Sequence, residues 1–138
     1  MSSDQDSGIP RDEWLYERGE GRVKHRWKHD VAGFQPPGRG GVGKCHVSID
    51  QACAEKLLRE GVVYHAPGTT TPEHVYNVYR GVIYEAAPTR PGYSYHGYPW
   101  QGGQGRPPLP PRIVRELRRR AELEGYVKEF EKWLNTYG

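Results

Sequence analysis

The sequence predicts an α+β domain: a small antiparallel sheet organised on a central β-hairpin, one short helix before the hairpin, and C-terminal helices packed on the sheet. Three observations lead there. Val75–Tyr79 and Val82–Ala86 are β-rich runs separated by Arg80 and Gly81, the spacing of a two-residue hairpin turn. Asp50 stands as a cap before an apolar pattern of helical period at Ala54, Leu57 and Leu58. The tail from Pro111 to Tyr137 repeats that period twice, first with Ile113, Val114, Leu117 and Ala121, then with Val127, Phe130 and Leu134.

Taken in order, residues 1–10 are polar and acidic and read as a disordered lead-in, leaving 11–138 as one domain. Arg22–His29 alternates bases with Val23, His25, Trp27 and His29, which fits an extended, basic strand. Residues 35–43 are rich in Pro and Gly and read as a loop, followed by a strand over Lys44–Ile49. The helix Gln51–Arg59 then stops at Gly61, and Val62–Tyr64 begins another strand. In the hairpin, Val78 faces Ile83 and Tyr79 faces Val82. Pro88–Pro111 reads as loop. Pro110 and Pro111 suit a helix entrance, and Gly125 divides the tail by a kink or into two helices.

Composition narrows the function classes. With 138 residues, 35% hydrophobic, 18 Gly and 12 Pro, the chain allows a compact core surrounded by long loops. Two cysteines, Cys45 and Cys53, are too few for a secreted disulfide framework. No apolar run approaches a membrane span, so the expected compartment is the cytoplasm, with no membrane partner. The net charge of +3 permits an anionic partner.

Gly38–Lys44 has the spacing of a phosphate-binding loop, but Cys45 stands where Ser or Thr would hold Mg²⁺, and no buried strand precedes it. What remains is a glycine loop ending in a cation, Lys44. His25 and His29 are four apart yet lack further ligands, so no metal and no cofactor is expected. His46 lies two residues from Lys44, on the same face of the expected strand. His96 lies in Tyr95-His96-Gly97-Tyr98, where glycine allows close approach of a ligand. Two imidazoles and a cation suffice for metal-free RNA cleavage: one removes the 2′-OH proton, the other protonates the leaving oxygen, and the cation stabilises the phosphorane. Arg22, Lys24, Arg26 and Lys28 could follow a phosphate backbone or form a solvated edge. The Arg-rich run holding Arg115 and Arg119 is either a solvated helix face or an electrostatic platform.

The span from Val75 to the C-terminus, with its hairpin, the Tyr-His-Gly-Tyr-Pro of Tyr95–Pro99, the Pro-led helix and the closing helix through Trp133-Leu134, resembles the C-terminal toxin domains of bacterial polymorphic toxin systems. The resemblance implies a small α+β ribonuclease without metal, with roles for His96 and Arg80. The leading expectation is thus a toxin-like endoribonuclease. His46 and His96 would be its acid–base pair, Lys44 and Arg80 its phosphate stabilisers, and Tyr95 or Tyr98 a stacking surface; tRNA or rRNA would be the substrate and an acidic protein the cognate inhibitor. Two alternatives stand beside it. One is a non-enzymatic, immunity-like or accessory module that binds a partner through Tyr/Gly-rich loops. The other is an ADP-ribosyltransferase-like toxin, prompted by Tyr79-Arg80-Gly81, with Glu85 the available acid.

Overall fold

The computed structural model describes residues 9–17, 33–35, 42–44, 49–65, 73–102 and 108–138, with backbone alone for 33–35 and 42–44. Its strands are β1 (Leu15–Tyr16), β2 (Gly33–Gln35), β3 (Val42–Lys44), β4 (Val62–Tyr64), β5 (His74–Tyr79), β6 (Val82–Arg90) and β7 (Ser94–Pro99). The helices are α1 (Gln51–Arg59), α2 (Pro111–Glu124) and α3 (Val127–Tyr137). Five strands form one sheet in the order β1-β7-β6-β5-β4, and β2 pairs with β3 separately. The fold is α+β as expected, but the sheet is mixed, because β1 joins β7 in parallel.

Local chemistry sets each element. Asp50 Oδ1 accepts from the Cys53 N–H at 2.8 Å, capping α1 over the expected residues. The hairpin keeps its expected register, Val78 against Ile83 and Tyr79 against Val82. Arg80 (φ 52°) and Gly81 (φ 83°) both take positive φ, the backbone of a type I′ turn whose twist matches the flanking strands. Gly81 meets a second demand: a Cβ there would lie 2.9 Å from the Phe130 nitrogen and the Tyr126 carbonyl oxygen. At the tail Gly125 resolves the expected break into two helices.

Pro88–Pro111 departs from the loop expectation. Strand β6 continues to Arg90, and β7 occupies Ser94–Pro99. The glycines and prolines hid a period of two, with Tyr95, Gly97 and Pro99 on one face and His96 and Tyr98 on the other. Pro88 is tolerated beside a shift in register, and Pro99 ends its strand. Ile9, assigned to the lead-in, donates its N–H to the Gly92 carbonyl at 2.9 Å, so order begins before residue 11.

Helix α1 lies on the face that carries Val75, Asn77 and Tyr84, where Asn77 Nδ2 donates to the Leu57 carbonyl at 2.9 Å. The chain enters α2 beside Tyr64, His74 and Tyr76, side chains of the other face. Ile83, Ile113, Leu117, Ala121 and Phe130 are wholly buried and form the centre of the core. Each such side chain removes apolar area from water worth roughly 1.5–3 kcal/mol.

Candidate functional site

Along β6 the face that begins with Ile83 continues to Glu85 and Ala87, and β7 adds Tyr98 opposite Glu85 and His96 opposite Ala87. Glu85 is 1% exposed. A carboxylate so placed is costly unless bonded, and here the Tyr76 hydroxyl donates to Glu85 Oε2 at 2.7 Å. Tyrosines flank it on both neighbouring strands, Tyr76 on β5 and Tyr98 on β7. A buried acid on an otherwise apolar row is where local rules yield to another demand.

His96 is the diagonal neighbour of Glu85 across the β6–β7 pair, a relation that puts Cα atoms roughly 7–8 Å apart. The imidazole is half-buried, with Nδ1 2.8 Å from Thr89 Oγ1, and the Tyr98 ring centroid lies 6.1 Å from its own. Thr89 fixes the plane of the ring, so the histidine is oriented rather than free-swinging. The adjacent glycine serves packing and not a ligand: a Cβ at Gly97 would meet the Tyr16 ring at 3.0 Å, and Tyr16 Oη bonds to both the Gly97 N–H and carbonyl at 3.2 Å.

Strand β3, which ends in Lys44, passes against β7, the strand that holds His96, with Cα atoms within 8 Å. His46, two residues on, lies outside the described residues, as do Cys45 and the basic stretch Arg22, Lys24, Arg26 and Lys28.

Other expected members stand elsewhere. Arg80 occupies the turn at the far end of β6; Val82 and Ala87, five residues apart, already differ by about 17 Å along the strand. Its backbone N–H donates to Glu124 Oε2 at 2.7 Å and its guanidinium lies 5.4 Å from the Tyr79 ring centroid. Arg80 therefore does not complete a site with His96. Tyr95 is fully buried, its ring 4.7 Å from that of Trp14, so it cannot stack on a base; burial pushes its hydroxyl pKa up. Arg119 is held by both oxygens of Glu116, at 3.0 and 2.6 Å, which spends its charge within α2. Arg120 also binds Glu116 and the Glu60 carbonyl, while Arg118 pairs with Glu131 of α3 at 2.6 Å. Arg119, and after it Arg120, hold the Glu116 carboxyl down at about 2. Arg115 stays exposed on α2. On α1, burial and then the charge of Asp50 push the Cys53 thiol up, away from thiolate chemistry.

Sequence reasoning placed Glu85 only in the ADP-ribosyltransferase reading and missed Thr89 and Tyr76. A signal existed for two of the three. The hairpin register that pairs Val78 with Ile83 also pairs Tyr76 with Glu85, on a face that ought to be apolar. Thr89 required knowing that β6 runs past Pro88.

No described helix is long and apolar enough to cross a membrane. Comparison with protein-family models, curated proteins and solved structures finds nothing that matches this chain.

Proposed function

We propose that the chain is a toxin-like endoribonuclease that cleaves RNA without a metal, with His96 as one proton-transfer group. The observation that carries the reading is a half-buried imidazole bonded by Thr89 and diagonal to a buried glutamate across the β6–β7 pair, on a strand flanked by the one that ends in Lys44. The 2′-hydroxyl attacks the adjacent phosphorus while a base takes its proton. The P–O5′ bond breaks, His96 delivers a proton to the departing 5′-oxygen, and the products are a 2′,3′-cyclic phosphate and a 5′-hydroxyl. His46 is the second proton-transfer group and Lys44 the cation for the phosphorane charge. Glu85 acts through His96, its diagonal neighbour across the β6–β7 pair, by helping to fix the sheet surface on which the imidazole is set. It is a positioning residue, since its burial keeps it from substrate. Tyr98 offers a ring beside the imidazole for stacking.

The test is incubation of purified protein with tRNA and rRNA in EDTA, with mapping of the new ends. Cleavage leaving 2′,3′-cyclic phosphates, reduced about 10²–10⁴-fold by His96→Ala, is the expected result. Intact RNA together with harmless expression in bacteria would overturn it and favour the partner-binding module. Consumption of NAD would favour the ADP-ribosyltransferase.

A further inference from the structure

A cavity of about 260 Å³ opens between the end of β4, the start of β5 and the approach to α2. Among the described residues its walls are Tyr64, Tyr76, Trp100 and Leu109, while Glu73 and His74 bring polar groups. A dry cavity of about 150 Å³ accepts benzene, so this one has room for a two-ring heterocycle. The other cavity, between α1 and the sheet, measures about 30 Å³ and is a packing gap in the core.

Three features give the larger cavity a direction. Its walls are aromatic, and stacking on such rings is the sequence-tolerant part of holding an unpaired base, worth roughly 1–3 kcal/mol. Its polar groups differ in exposure: Glu73 is exposed at the rim, and His74 is half-buried, its ring centroid 6.1 Å from that of Tyr76. Lastly, Tyr76 belongs to both places, since it lines the cavity and its hydroxyl holds Glu85. Strand β5 lies two strands from β7, about 10 Å, and His74 of the cavity and His96 share one face of the sheet.

We infer that this cavity is a nucleobase subsite that takes a purine and prefers guanine. This rests on the ribonuclease reading for its biological sense, but binding is independent of cleavage. Two oxygens of one carboxylate can accept both the N1–H and the N2–H of guanine, whereas adenine offers an acceptor at N1. Pyrimidines expose one ring and fill less of the space. The subsite would set which phosphodiester is presented to His96.

Calorimetric titration of the full chain with GMP, AMP, CMP, UMP and ribose 5-phosphate tests this directly. The expected order is GMP, then AMP, then the pyrimidines. Glu73→Gln, at an exposed position that leaves the fold intact, weakens GMP by about tenfold and leaves AMP unchanged. Tyr64→Leu weakens both purines. Equal binding of all four nucleotides, binding of ribose 5-phosphate as tight as GMP, no binding at all, or no response to Glu73→Gln would each overturn the subsite. Guanine binding without RNA cleavage would sink the catalytic reading alone; cleavage without nucleotide binding would sink the subsite alone.

Discussion

At the hairpin turn, strand β6 starts among helices: Glu124 accepts the Arg80 N–H, Gly81 abuts Tyr126 and Phe130, and Ile83 is wholly buried. Three residues into the same strand comes Glu85, and five residues in Ala87 faces His96, polar groups tied to Tyr76 and Thr89. The first end is where apolar burial accumulates. The second holds a buried carboxyl side chain and a half-buried imidazole, arrangements that cost stability unless bonded. One strand thus joins an apolar, anchoring end to a polar end, and a substitution at either should report on that end alone.

The sharpest break in this contrast is Phe130→Ala. Emptying a fully buried ring beside the turn should cost about 3–5 kcal/mol, read as a lower denaturant midpoint, with cleavage failing only as the fold does. Gly81→Ala comes next. It forces a Cβ into positive φ, 2.5 Å from Glu129 Cβ, and should cost about 2–3 kcal/mol while leaving the activity of the folded fraction unchanged. At the other end Glu85→Gln keeps an acceptor for Tyr76, so the midpoint should shift by no more than about 1 kcal/mol. Cleavage should fall, because the polar group beneath the His96 strand has changed while the fold has not. Unchanged cleavage would remove Glu85 from the mechanism.

The smallest effect lies outside both ends, on α2. Glu116 is held at about 2 against an ordinary 4.5 by Arg119 and then Arg120. Its contribution is complete above about 4.5 and disappears as pH falls toward 2. The side chain is 31% exposed, so solvent screening limits this to no more than about 1 kcal/mol. Comparing wild type with Glu116→Gln in urea at pH 7 and pH 2.5 should show a smaller difference at the lower pH.

Helix α1 and the β5–β6 hairpin were legible because their signals are local: an aspartate cap, a two-residue turn, a period of residues. Strand β7 was obscured because glycine and proline mark turns in most settings, and the partners that fix them here, Tyr16 and β6, are distant in sequence. Tyr95 was misread for the same reason, as the ring that buries it comes from Trp14. His96 could be picked out by its neighbours, yet the separation of Arg80 from it follows only from strand length and register. That β3 passes against β7 is likewise a tertiary contact that no local pattern announces.

Tyr16 reaches Gly97 across 81 residues of chain. Local helices and the hairpin can close early, whereas an edge with so long a loop waits on the slow search for distant partners. During synthesis β7 must emerge before β1 can dock on it, so the histidine-bearing strand spends the interval with one side unzipped. The edge of the sheet beside His96 is therefore completed only late in folding, after the hairpin and the helices have closed.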